Sequence, residues 1–179
     1  MPQLTRCGCF ILRPQLHPCS ICTILLLYRY WFRVNAMRKY FDHFYITDEK
    51  DFILSRHTDV HALLKNAYWA EQREPLAMYT AIQNSLNYAV FETKLNRLVG
   101  FARIITDHAT LYYLCDVFVD EAFRGMGLGK TLIEHILFNE KQINGLSGLL
   151  KTRDAKELYE TYGFEECRSI CMVKNKIEP

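Results

Sequence analysis

The 179-residue sequence has no apolar stretch long enough to cross a bilayer, no excess of one charge and no internal repeat. Its apolar run from Cys19 to Tyr28 reaches ten residues, about half of the roughly 20 that a spanning helix needs. The run ends in the bulky, basic Arg29-Tyr30-Trp31-Phe32-Arg33. Arg6 and Arg13 precede it as in a secretory leader, but no small-residue cleavage pattern follows. With 22 Lys and Arg against 20 Asp and Glu, the net charge of +2 offers no strong field to nucleic acid or to an anionic membrane. Neither is expected as a partner. A composition of 50% hydrophobic and 23% charged residues is ordinary for a globular chain, long enough for one domain with a full core and short for two.

Acidic residues are missing altogether from the first 36 positions, which hold four of the seven cysteines, Cys7, Cys9, Cys19 and Cys22. Four thiolates could bind zinc tetrahedrally, but neither cysteine pair carries the turn residues of a zinc knuckle, and no metal is expected. This composition is foreign to the remainder. It predicts an extension over residues 1–36 outside the folded domain, with Met37 as the true start and the domain spanning 37–179. An intact Met1 on the natively expressed chain would overturn that expectation. Cys115, Cys167 and Cys171 fall in predicted strands, where a free thiol serves as a small hydrophobe. An odd count of this kind suits a reducing, cytoplasmic setting.

Past Met37 the hydrophobic pattern alternates between strand and helix periods. Tyr40 to Ile46 predicts a first strand and Asp48 to Asp51 a loop. Val60, Leu63, Leu64, Ala67 and Tyr68 share one helical face, with Thr58 or Asp59 as N-cap. Pro75 opens a second helix that carries Leu76, Tyr79, Ile82 and Leu86 and ends near Asn87. Tyr88–Thr93, Leu98–Thr106 and Thr110–Val119 read as strands joined by short polar turns, hence antiparallel. A helix carrying Leu128, Leu132, Ile133, Ile136 and Leu137 follows. After it come a strand at Gly148–Thr152, a short helix at Ala155–Tyr162 stopped by Gly163, and a last strand or pair at Phe164–Val173. The order predicts an α/β (α+β) domain, a mixed sheet with helices packed on it.

Arg124-Gly125-Met126-Gly127-Leu128-Gly129-Lys130-Thr131 places three alternating glycines at the start of a helix. Each loses several tenths to about 1 kcal/mol of backbone entropy relative to alanine, so close backbone approach to a ligand is the better reason for them. Main-chain N–H groups at a helix N-terminus attract anions. Spacing separates the candidates. A nucleoside-triphosphate loop needs four residues between its first glycine and Gly-Lys-Thr, whereas position 124 is arginine and Gly125 leaves three. The dinucleotide fingerprint Gly-x-Gly-x-x-Gly fails too, because the interval is Gly125-x-Gly127-x-Gly129 and hairpins precede it.

What remains, Arg124-x-x-Gly127-x-Gly129 directly after a strand, resembles motif A of the GNAT acetyltransferase superfamily. Asp116-Val117-Phe118-Val119 is similar to that family's fourth strand, and Ala155-x-x-Leu158-Tyr159-x-x-x-Gly163-Phe164 to its motif B. The resemblance runs from Tyr40 to Val173 and is strongest after Leu98. It implies a mostly antiparallel, twisted mixed sheet with helices on both faces and splayed central strands. It also implies acetyl-CoA as co-substrate. The coenzyme diphosphate would rest on Arg124, Gly125, Met126, Gly127, Leu128, Gly129 and Lys130, and the pantetheine arm on Val117 and Val119. A main-chain N–H near Phe118 would face the thioester oxygen, and Asp154, where many relatives have asparagine, would touch the arm. Tyr159 would donate to the departing thiolate. The reaction implied is acetyl transfer to a primary amine by direct attack; the alternative is a non-catalytic acyl-CoA sensor on the same fold.

A lysine-like amine of pKa about 10.4 carries a protonation handicap of about 4.6 kcal/mol at pH 7, so a base or water relay is expected. Asp116, a carboxylate in an apolar strand, is the first candidate for the base. Glu92, Tyr112 and Tyr113 are weaker ones, and His108 in a hairpin loop reads as solvated. The loop Tyr68 to Pro75, with Trp69 and Arg73, is expected to set acceptor specificity, since loops vary on a fixed scaffold. Arg103 on a central strand points to an anionic partner group or to pairing with Asp116 or Asp107. Homodimerisation is left open.

Overall fold

A computed structural model describes residues 43–167, all within one unit of the chain, His43–Pro179. The expected extension over 1–36, the start of the first strand and most of the last strand lie outside these residues.

Five strands form one sheet in sequence order: β1 (Phe44–Thr47), β2 (Leu86–Glu92), β3 (Arg97–Thr106), β4 (Leu111–Val119) and β5 (Ser147–Leu150). The first four are antiparallel, β2–β3 and β3–β4 through short polar turns and β1–β2 across the intervening helical segment, and β5 joins β4 in parallel after a helical crossover. The sheet is therefore mixed, as expected. The β3–β4 turn is held by Asp107, whose carboxylate accepts from the N–H groups of Ala109, Thr110 and Leu111 at 3.0, 2.9 and 3.2 Å. Those bonds, the Thr110 hydroxyl first among them, hold its pKa well below the usual carboxylate range.

Strands alternate their side chains between faces, so each face builds its own core. One face carries Tyr88, Val90, Ala102, Ile104, Tyr112 and Leu114 against α4 (Leu128–Asn139) and α5 (Lys156–Glu160). The other carries Ala89, Phe91, Phe101 and Phe118 against α1 (Lys50–Ser55), α2 (His57–Leu64) and α3 (Pro75–Gln83). Helices thus cover both faces. Pro75 occupies the first turn of α3 behind an extended Glu74, where its missing N–H leaves no bond unmade.

Three local expectations change. Lys50 begins α1 where a polar loop was read, because Ile53 is wholly buried against the α2–α3 core and fixes a helical turn. The next helix starts at His57, not after Thr58 or Asp59, and neither residue caps it. Asn87 belongs to β2, buried, with its amide donating to the Ile82 carbonyl at 2.8 Å and the Ser85 carbonyl at 2.9 Å. Those two bonds hold the chain where α3 ends at Gln83, four residues before the end the apolar spacing predicts, while the buried Asn87 Oδ1 has no partner among the described residues.

A bulge in β4 decides where the site lies. Register runs Thr106↔Tyr112 to Arg103↔Cys115, then resumes at Phe101↔Phe118, which leaves one extra residue in β4. Asp116 absorbs it at φ 55, in the left-handed region. Before the bulge Tyr112 and Leu114 pack on the α4 side; after it Val117 and Val119 do so and Phe118 turns to the other face. Pairing with β5 stops at Leu114↔Leu150, immediately before the bulge. On the paired stretch, Gly148 lies under the Tyr112 ring, whose hydroxyl oxygen would be 2.4 Å from an added Cβ. A larger residue there requires the Tyr112 ring to move.

Candidate active site

A cavity of about 370 Å³ opens where β4 and β5 part, in the size range of small-molecule sites. Cys115, Asp116 and Val117 form the β4 wall, and Leu150 to Ala155 with Tyr159 form the opposite one. Tyr68, Trp69 and Arg73 close it from the α2–α3 loop. The cavity therefore brings together Tyr159, Asp116, Val117, Asp154, Trp69, Arg73 and Arg103, which lie far apart in sequence.

Tyr159 is 8% exposed, and its ring meets Phe164 edge-on at 6.0 Å. Burial, with the Asp154 carboxylate nearby, pushes its phenol up to about 12. It is a neutral hydrogen-bond donor throughout the physiological range. Asp154 itself is exposed at the cavity rim, 3.7 Å from Arg153.

Asp116 holds two guanidinium groups. Arg73 grips it in a fork, Nη1 to Oδ2 at 2.8 Å and Nη2 to Oδ1 at 3.1 Å, while Arg103 Nε donates to Oδ2 at 2.7 Å. Arg103 Nη1 also donates to the Ser85 hydroxyl at 3.0 Å. The carboxylate side chain is only 3% exposed. Burial opposes its charge, yet the arginines outweigh that and hold the carboxyl below its ordinary value. This corrects the reading of Asp116 as general base: both oxygens are engaged, and a carboxylate so stabilised has little tendency to take a proton at neutral pH. Of the two explanations for Arg103, pairing with Asp116 is the one observed. Glu92 lies at the far end of β2 beside Arg97, and His108 is exposed in its turn at φ 60. Tyr112 is buried on Gly148, and Tyr113 lines the cavity.

The open edge of β4 follows from strand geometry. Asp120 N–H donates to the Val99 carbonyl at 2.8 Å, so by alternation Phe118 also presents its main-chain groups to β3, while Val117 and Val119 present theirs to the side that β5 has left. Phe118 N–H therefore faces β3 and not the open edge where a thioester oxygen was expected to lie. Its ring is instead buried against Trp69 at 6.1 Å. Trp69 serves as both wall and packing.

Downstream, Gly127 caps α4 at φ 81 and Gly125 lies at φ 78. A Cβ on Gly127 would project into open space, so backbone conformation, not crowding by protein, demands glycine there. The N–H groups at the start of α4 form a ready anion cradle. Arg124 at its edge pairs with Glu121 at 3.1 Å and lies over the Phe118 ring; Met126 and Lys130 are exposed, and Gly129 packs on Val119.

Arg153 has no place among the sequence expectations, and it meets Tyr68, the first residue of the loop expected to set acceptor specificity. The Arg153 guanidinium lies 3.6 Å from the Tyr68 ring centre and ties the β5–α5 loop to the α2–α3 loop across the cavity mouth. No motif marks either residue. Cys115, also in the wall, donates to the Arg103 carbonyl, and burial pushes its thiol up to about 11. It stays a protonated thiol at neutral pH. Among the described residues no cluster of His, Cys, Asp and Glu could hold a metal, and no helix is long and apolar enough to cross a membrane.

Residues 84–166 match the model of the acetyltransferase (GNAT) domain. A GNAT-family protein of Xanthomonas campestris pv. campestris is 33% identical, over 70% of this chain and 87% of its own, with a TM-score of 0.64. The chain belongs to the GNAT acetyltransferase family. Histone acetyltransferase TAP1 of Glycine max is 32% identical over 120 residues, 60% of this chain and 51% of that protein. The chain spans about half or less of the length of the curated relatives it matches. An aminoglycoside N-acetyltransferase solved with CoA shares the fold at 15% identity, with a TM-score of 0.57 over 75% of this chain and 96% of that one.

Proposed function

We propose that this chain transfers the acetyl group of acetyl-CoA to a primary amine by direct attack on the thioester. The observation that carries the reading is Tyr159, a buried, unionised phenol that opens onto the cavity where β4 loses its partner. Acetyl-CoA would supply the activated acyl group. Val117 and Val119 would receive an extended arm along the free edge, and the N–H groups that open α4, from Gly127 on, would hold the diphosphate. The donor for the developing carbonyl charge moves from Phe118 to the bulge at Asp116–Val117, where such a contact is typically worth roughly 3 kcal/mol. Tyr159 would stabilise the departing thiolate.

Release of free thiol from acetyl-CoA across a panel of amines tests this, alongside calorimetric titration with acetyl-CoA. Binding without thiol release would favour the sensor reading, and no binding would sink both.

The α4 start allows a sharper check. Gly127→Val is expected to raise the KM for acetyl-CoA at least tenfold. A left-handed valine costs roughly 1–2 kcal/mol wherever it stands, so Gly145→Val, at φ 79 and also facing open space, is the matched control. Equal KM values in the two variants would show that the loop does not touch the coenzyme.

A further inference from the structure

We infer that the acceptor amine also carries an oxyanion, a carboxylate or phosphate, which the cavity receives on Arg73 and Arg103. This deepens the acetyltransferase reading and rests on it. Four cationic side chains line the cavity, Arg73, Arg103, Lys151 and Arg153, against two acidic ones, Asp116 and Asp154. Asp116 satisfies only part of what faces it. One carboxylate cannot neutralise two guanidinium groups, and among the described residues Arg73 Nε and Arg103 Nη2 have no protein acceptor. Arg73 is 24% and Arg103 11% exposed, so their surplus charge is partly desolvated; both line this cavity, and Arg103 also borders a second one beside Ser85.

Asp116 then acts as a positioning residue. Its fork with Arg73 and its bond to Arg103 fix two guanidinium planes, and fixed guanidinium groups are suited to planar or tetrahedral oxyanions. The same surplus charge lowers the pKa of an ammonium group brought near it. A neutral, nucleophilic amine is thereby favoured although no free carboxylate serves as base. A lysine-rich tail, by contrast, would add positive charge to a cavity already in surplus.

Matched acceptors test the inference on the wild-type chain at saturating acetyl-CoA: phenylalanine against phenethylamine, phosphoethanolamine against ethanolamine, and an oligolysine peptide. Thiol release is expected to show kcat/KM at least tenfold higher for the anionic member of one pair, a preference that shrinks as salt screens it. The pair that responds distinguishes carboxylate from phosphate. Arg73→Leu should bring that ratio to within about threefold of unity, the scale of a lost charge-assisted contact. Equal rates within both pairs, or a preference for oligolysine, would overturn the inference while leaving acetyl transfer intact. No thiol release with any amine would remove the acetyltransferase reading itself, and the inference with it. Should Arg73→Leu fail to fold, the wild-type ratios alone decide.

Discussion

Tyr159→Phe is expected to lower turnover at least tenfold while changing the KM for acetyl-CoA little, measured as thiol release with any accepted amine. The ring fills its place beside Phe164 in either form, so packing is kept and only the hydroxyl is lost. Its role is donation and not full proton transfer. Moving a proton from a phenol at about 12 to a thiolate of reference pKa near 8.5 is uphill by about 5 kcal/mol, whereas a hydrogen bond to the thiolate has no such gap. The same burial predicts a pH signature. An unfolded phenol ionises near 10 and the folded one near 12, so Tyr159 contributes stability that is fully present below about pH 10 and lost as pH rises through about 12. The loss amounts to about 3 kcal/mol. Tyr159→Phe should flatten that part of the alkaline unfolding curve. Wild-type turnover in the variant would reduce Tyr159 to a packing residue.

Asp116→Ala is expected to destabilise the domain by about 3–5 kcal/mol, the usual consequence of leaving a buried charge without its partner. At a few degrees per kcal/mol in a chain of this size, the melting temperature should fall on the order of 10 °C. Two guanidinium groups would lose their shared counter-ion, and the bulge would lose the side chain that anchors it to β3 and to the α2–α3 loop. Arg73→Leu should be milder, because Asp116 keeps Arg103. The pH dependence has a definite sign. The arginines depress the Asp116 pKa, so its contribution is present above the unfolded value near 3.9 and disappears as pH falls through the lower folded value. Differential scanning calorimetry of the two variants checks both statements. An Asp116→Ala protein with unchanged melting temperature and abolished turnover would restore the general-base role.

Sequence and structure divide this protein along a physical line. Local signals were legible wherever one element needs only its own residues. Alternation, hairpin turns, Pro75 at a helix start and the alternating glycines at 125, 127 and 129 each act through neighbours in the chain, and they make β2, β3, β4 and the glycine turn that opens α4 legible. The helix at Lys50 was not legible, because its reason is the burial of Ile53 against residues of other elements. Nor was the β4 bulge. Leu111 to Val119 is apolar at nearly every position, so a change of parity at Asp116 leaves no trace in the pattern.

The sequence by itself determined a glycine-bounded helix start after a strand and a tyrosine on a later short helix. Only the tertiary structure decided that Arg73 joins Arg103 on Asp116 in one cavity wall, because the three lie on a loop and two strands and carry no shared local pattern. Backbone conformation is written in short spacings. The charge balance of a cavity is set by which distant side chains the fold brings within about 3 Å of one another, where a hydrogen-bonded ion pair forms.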